Sequence, residues 1–330
     1  MKLRHWRRAT QGFTLIELLV SFLIGSVITV SLGAILIDMI ETESREASLN
    51  EVRQELQSAM NFIMADLSQA TFVYDGNCLQ GAGLCASANG SSRTPITNYL
   101  PNFGANIRPI LAMWILEPLP YDNNPAFVLP TSCPASNQQC LRIQNARRAY
   151  TLVVYYLDTT ADSQWQGVAR LRRYQLRQYA TINGTTITQT PGYVDPTVNT
   201  NFVAWPLDLN TNANLQASSP SNDLANAPVV ADFIDSNWTD VASTPIDCQG
   251  AVSSPNINAY VRTPLLSTSP PNSFYACVQS RGSNFNTATF VYLRANPRGK
   301  PAIRTQDEAV RPVLTTTVLS RGVYQKVPGN

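Results

Sequence analysis

The spacing of apolar residues along the chain changes period twice. From Leu18 to Ile37 no charged side chain occurs, and apolar or small residues fill the run. At roughly 1.5 Å per residue, such a run covers about 30 Å as a helix, the thickness of a bilayer's hydrocarbon core. From Leu49 onward Val52, Leu56, Met60, Ile63, Leu67 and Ala70 recur every three or four positions, which aligns them on one face of a continuing helix. Glu51, Arg53, Glu55 and Asp66 fall between them and read as its solvent side. No proline or glycine interrupts Ala34 to Tyr74. The spacing therefore predicts one helix from about Thr14 to about Phe72, roughly 85–90 Å long.

After Asp75-Gly76 the pattern becomes short apolar runs between clusters of Pro, Gly, Asn and Ser. The clearest strands are Pro109 to Leu116, Thr151 to Leu157, Val168 to Leu176, Val229 to Ile234, Phe274 to Gln279, Ala288 to Leu293 and Val313 to Leu319. Thr151–Leu157 with Val168–Leu176, and Phe274–Gln279 with Ala288–Leu293, read as hairpins. The expected fold class is α+β: an antiparallel sheet wrapping the C-terminal half of the long helix. The stretches Asn77 to Asn106 and Thr181 to Ala227, rich in Asn, Thr, Ser and Pro, read as long surface loops.

Charge orients this arrangement. Lys2, Arg4, Arg7 and Arg8 precede the apolar run, so the positive-inside rule keeps the leader in the cytoplasm and sends the chain after Asp38 outward. Charged residues are only 14% of the chain, against about 25% in typical soluble proteins. Four of the 24 basic residues lie in the leader, so without it 20 basic residues face 22 acidic ones. That balance gives no sign of nucleic-acid binding, which needs a strongly basic face. Cys78, Cys85, Cys133, Cys140, Cys248 and Cys277 suit an oxidising compartment. Six cysteines allow about 15 complete pairings, and proximity favours Cys78 with Cys85, Cys133 with Cys140 and Cys248 with Cys277. Zinc is disfavoured, because no pair has the close Cys spacing it takes and the one histidine, His5, is in the leader.

The junction of leader and helix carries the sharpest signal. Gly12-Phe13-Thr14-Leu15-Ile16-Glu17 places a carboxylate at the edge of the apolar run, where an ionised group costs up to about 2.5–3.5 kcal/mol at mid-membrane and so calls for a partner. An ordinary secretory signal has a shorter apolar core and a small-residue exit site. A plain signal anchor predicts neither the glycine nor the glutamate. These residues resemble the class III leader of type IV pilins and type II secretion pseudopilins. The resemblance implies cleavage between Gly12 and Phe13 by a prepilin peptidase, N-methylation of Phe13, and a role for Glu17 in docking into a filament. It divides the chain into a leader (1–12), a transmembrane or filament-core helix (13–40), its amphipathic continuation (41–74) and an extracytoplasmic β-rich domain (75–330). The proline that many pilins carry in the second half of the helix is replaced by Ser31-Leu32-Gly33-Ala34.

Within that family, the stretch from Glu51 to Ala70, ending Asp66-Leu67-Ser68-Gln69-Ala70, resembles the bulkier minor pilins and pseudopilins of the PilW and GspJ kind. Phe72 to Asp75, Phe290 to Asn296 and Val318 to Val323 are similar to cyanobacterial hormogonium polysaccharide secretion pseudopilins. The implied role is a minor subunit of a pilus-like or type II secretion-like machine, anchored once in the inner membrane and supporting polysaccharide export and motility. Implied partners are the prepilin peptidase, other minor and major pilins or pseudopilins, the inner-membrane assembly platform and the membrane itself. No cofactor is expected.

Other candidate chemistry is thinner. Without a histidine after the leader, neither a Ser-His-Asp nor a Cys-His arrangement can be built, and no enzyme activity is expected. The rival reading is a signal-anchored extracellular carbohydrate-active enzyme or adhesin. Asp232, Asp235, Asn237 and Asp240 offer oxygen ligands for calcium, against the alternative of strand-end and turn carboxylates, and their spacing does not fit an EF-hand loop. Arg170, Arg172, Arg173 and Arg177 read either as a basic strip for an anionic polymer or acidic neighbour, or as charges guarding an edge strand.

Overall fold

The computed structural model describes residues 12, 14–81, 85–86, 92–121, 126–236, 248, 260–265, 273–279, 288–303 and 311–320. One helix, α1 (Leu15–Gln69, 55 residues), occupies the N-terminal fifth of the chain and is about 82 Å long. It runs without a break through Gly25 and Gly33. From Leu15 to Ile40 its large apolar side chains are exposed, Phe22 by 78% and Ile37 by 68%. From Ser48 onward a single face is buried, carrying Val52, Leu56, Ala59, Met60, Ile63 and Leu67. The helix stops at Gln69, short of the expected Phe72, because Ala70 turns into extended backbone and Ala70–Val73 forms strand β1. Thr71 and Val73 are β-branched and Phe72 is aromatic, so the sheet edge competes well for them. Phe72 then pairs with Trp114 and Val73 with Met113.

The remaining strands are β2 (Cys85–Ala86), β3 (Ser92–Arg93), β4 (Ile107–Pro118), β5 (Phe127–Val128), β6 (Arg148–Asp158), β7 (Ala169–Leu176), β8 (Tyr179–Asn183), β9 (Thr186–Gln189), β10 (Val229–Ile234), β11 (Tyr260–Thr263), β12 (Phe274–Gln279), β13 (Ala288–Arg294) and β14 (Val313–Leu319). A five-stranded antiparallel sheet has the order β1-β4-β6-β7-β10, and a four-stranded one the order β11-β12-β13-β14. The strands expected to form one sheet thus divide between two. The sheets meet at a bridge between Ile234 and Ala295, where the Asp235 N–H donates to the Arg294 carbonyl and the Asn296 N–H to that of Phe233. α1 packs against both, and its buried stripe shares a core with Leu111, Met113, Val153, Tyr155 and Leu171 from one sheet and Phe274, Ala276, Val291 and Leu293 from the other.

Alternation along the central strands sends a second set of side chains to the opposite face. Trp114, Leu152, Val154, Tyr156, Tyr174 and Leu176 form another core with Tyr193, Phe202, Trp205 and Leu224. The stretch from Asn77 to Asn106, expected to be a surface loop, puts Leu79, Ile96, Leu100 and Phe103 into the same core, and the other expected loop, Thr181 to Ala227, covers the sheet instead. It begins with the small hairpin of β8 and β9 and continues as irregular chain anchored by buried aromatics. Phenol and indole groups tie it down. Tyr74 Oη donates to the Phe202 carbonyl at 2.6 Å, Trp205 Nε1 to that of Val194 at 2.9 Å, and Tyr193 Oη to that of Tyr150 at 2.8 Å.

Candidate processing and assembly site

Gly12 is exposed, and a Cβ placed there would meet nothing within 4 Å. Thr14 is the N-cap of α1, in extended conformation, and Glu17 is the third helical residue. The Glu17 carboxylate bends back over that first turn, where its Oε2 accepts from the Thr14 amide at 3.4 Å and from Thr14 Oγ1 at 3.3 Å. This is capping-box geometry, in which a carboxylate meets the unpaired amides and positive end of a helix. Phe13 lies outside the described residues, and the carboxylate points to the stretch of backbone that joins it. Cleavage after Gly12 would leave an α-amine one residue beyond the amide Glu17 already contacts. The helix that follows contains a stretch long and apolar enough to cross a membrane, and none of that stretch is buried against the domain.

The basic strip is not a surface. Arg170, Arg172 and Arg173 are buried, and β7 lies inside the sheet between β6 and β10, so neither the polymer-binding nor the edge-guarding reading holds. Carboxylates distant in sequence hold them there. Arg172 Nε is 2.9 Å from Asp158 Oδ2, with Arg170 Nη2 at 3.7 Å from the same oxygen. Arg173 donates from Nε to Asp66 Oδ2 at 2.7 Å and from Nη2 to Oδ1 at 3.3 Å, and Tyr155 Oη donates to Oδ2 at 2.6 Å. Burial alone would lower the affinity of Arg173 for its proton, but the bonds and charge of Asp66 outweigh it and hold its pKa above the ordinary value. Burial, reinforced by the Asp66 charge, pushes the Tyr155 phenol up. Asp66, assigned by its spacing to the solvent side, is instead the polar bolt between helix and sheet. Only Arg177 is partly exposed; it pairs with Glu117 at 3.3 Å and lies 4.7 Å above the Tyr121 ring.

The proposed calcium carboxylates serve the junction of the sheets. Asp232 Oδ2 accepts the Gln166 and Gly167 amides at 3.1 and 3.0 Å, where a Cβ on Gly167 would come within 2.3 Å of Asp232 Oδ1. Asp235 is ion-paired with Arg294 at 2.7 Å and Arg311 at 3.4 Å, and Asn296 Nδ2 donates to it at 3.2 Å. Two guanidinium groups on one carboxylate leave it poorly suited to a cation. Asn237 and Asp240 lie outside the described residues. Among the described residues no group of three or more His, Cys, Asp or Glu is placed to hold a metal ion. Glu55, half-buried on α1, accepts the Asp232 N–H, and burial holds its carboxyl above the usual range against the pull of that amide.

Cysteine pairing follows the local geometry. Cys133 is bonded to Cys140 and Cys248 to Cys277. Cys78 is also disulfide-bonded, and the side chain of its expected partner Cys85 lies outside the described residues.

Comparison with known proteins yields one match, to the prokaryotic N-terminal methylation motif over residues 7–33. No curated protein and no solved structure matches the chain. The motif runs from the residues just before the Gly12–Phe13 junction through Glu17 and over most of the exposed apolar helix, and it marks the chain as a type IV prepilin-like protein. Such a start fits a membrane-anchored, pilin-like structural subunit, processed by prepilin peptidase and assembled with other pilins.

Proposed function

We propose that this chain is a minor pilin or pseudopilin of the PilW and GspJ kind in a type IV pilus-like or type II secretion-like assembly. Residues 1–12 are the leader, 13–40 the inner-membrane and filament-core helix, 41–74 its amphipathic continuation, and 75–330 the domain held outside the cytoplasm. The observation that carries this reading is the helix itself. Its exposed apolar half begins at a methylation motif with a carboxylate in the first turn, and its other half is the spine of a folded head. Within this role the chain supports export of a polysaccharide and gliding or twitching, as the short resemblances to hormogonium polysaccharide secretion pseudopilins such as HpsC imply.

The test is the N-terminus of the protein in cells that contain a prepilin peptidase. Mass spectrometry should find N-methylated Phe13 as the first residue. An intact Met1, or a cut after Ile37, would remove the basis of the proposal.

A further inference from the structure

One face of the four-stranded sheet joins the core with α1 through Phe274, Ala276, Val291 and Leu293, and alternation turns the residues between them to the other side. That outward side carries Arg262 on β11, Tyr275 on β12, Phe290 and Tyr292 on β13, and Thr315 and Thr317 on β14. Register sets Tyr275 opposite Tyr292, Tyr292 opposite Thr315, and Phe290 opposite Thr317. The Arg262 guanidinium lies 4.4 Å from the centre of the Tyr275 ring. On the other side of that ring Tyr292 stacks, with centroids 4.7 Å apart and planes 18° from parallel. Neighbouring strands are themselves about 4.8 Å apart, so the stack runs across the sheet from β11 to β13. On β14 the series ends in a threonine.

Thr315 and Thr317 are exposed, while Phe290 and Tyr292 are half-buried. A threonine is too short to continue the stack, so the second face of the Tyr292 ring turns toward a gap above the edge strand, with two hydroxyls beside it. Tyr275, 1% exposed, has no hydrogen-bond partner for its Oη, and a ligand hydroxyl is what such a buried orphan lacks. The face is also neutral. Arg294 is paired with Asp235, Arg262 is buried under the stack, and no carboxylate or lysine occupies an outward position of β11 to β14. We infer that this face binds a neutral polysaccharide, one sugar ring stacking on Tyr292 and another lying over Phe290, with Thr315, Thr317 and Tyr275 meeting the sugar hydroxyls. The C–H face of a sugar ring is apolar and slightly positive, which suits the negative face of an aromatic ring, and its rim of hydroxyls needs polar partners. A purely apolar partner would leave those groups unmet, and an anionic polymer would find no open cation. The inference rests on the polysaccharide-export reading for the origin of the polymer, and its failure leaves the Phe13 test untouched.

Saturation-transfer NMR on the full-length mature protein in zwitterionic detergent tests it. The probes are oligosaccharides released by partial hydrolysis of the polysaccharide shed by the producing cells, separated into neutral and acidic fractions. The neutral fraction should bind saturably and the acidic fraction should not. Tyr292→Leu removes the stacking ring but keeps an apolar side chain, and Thr315→Val with Thr317→Val removes the hydroxyls but keeps shape and strand preference. Each change should weaken binding of the neutral fraction by about tenfold or more. Tyr292→Phe keeps the ring and should stay within about twofold of the parent. Recovery of the Cys248–Cys277 bond, anchored on the same face at Cys277, checks that each variant folds. No saturable binding of the neutral fraction, a preference for the acidic one, or parent-like affinity in either the Tyr292→Leu or the paired threonine variant would overturn the inference. Binding of the neutral fraction at this face by a protein that keeps Met1 in cells would uphold it while removing the subunit reading, so the two failures are separable.

Discussion

Asp66 shows how a single carboxylate can hold two elements together. It lies on the helix between Ile63 and Leu67, beside the apolar stripe, and it meets Arg173 and Tyr155 far along the chain. Breaking a buried pair by removing one partner costs about 3–5 kcal/mol, because the other charge stays buried, whereas replacing both with apolar groups is often near neutral. Asp66→Ala should therefore lower the stability of the detergent-solubilised protein by about 3–5 kcal/mol in denaturant unfolding. Asp66→Leu combined with Arg173→Leu should recover most of that loss. If the double variant is no more stable than Asp66→Ala, the uncompensated guanidinium is not the cause. The triad was hidden in the sequence for a physical reason. A charged residue at the margin of an amphipathic helix reads as solvated, and arginines in a strand read as exposed, unless the partners can be seen; here they are 89 and 107 residues away.

At the scale of elements, legibility followed periodicity. The strands with clean alternation or continuous apolar runs lie close to where their pattern put them, and both hairpins pair as antiparallel neighbours. The buried helical stripe likewise matches its spacing. The chain from Tyr193 to Ala227 defeated that reading because it has no period. Its aromatics are separated by polar turns, and only the sheet beneath shows that Tyr193, Phe202 and Trp205 face inward. A surface loop and a covering layer differ in what they cost to disturb. Trp205 is buried, edge-on to Trp114 with centroids 5.4 Å apart, so Trp205→Ala should cost about 3–5 kcal/mol, against about 0.5 kcal/mol or less for an ordinary surface substitution. The same variant should expose the Tyr193 to Ala227 segment to proteolysis while the β4–β6 pairing stays protected from hydrogen exchange. A loss within the surface range would show that the segment rests on the sheet without stabilising it.

For the molecule as a whole, the decisive contrast is between two halves of one helix. One half is buried by its own domain; the other exposes a continuous apolar surface from Leu15 to Ile40 that only lipid or other helices can cover. Glu17 sits at the end of the exposed half, far from any contact with the sheets, and the hydrogen bonds of its carboxylate go to Thr14 alone among the described residues. Folding of the domain should therefore be indifferent to it. Membrane insertion should be no worse without it, since Glu17→Ala removes an intramembrane charge that disfavours transfer into lipid. Cleavage after Gly12 should persist, because the scissile bond and the basic leader are unchanged. What should fail is assembly: with no carboxylate to neutralise the α-amine of a neighbouring subunit, the mature Glu17→Ala protein should accumulate in the inner membrane and be missing from sheared filaments and from complexes with other pilins. If it enters those complexes at the parent level and supports export and motility, Glu17 serves only as a helix cap, and the apolar half is an anchor rather than an assembly surface.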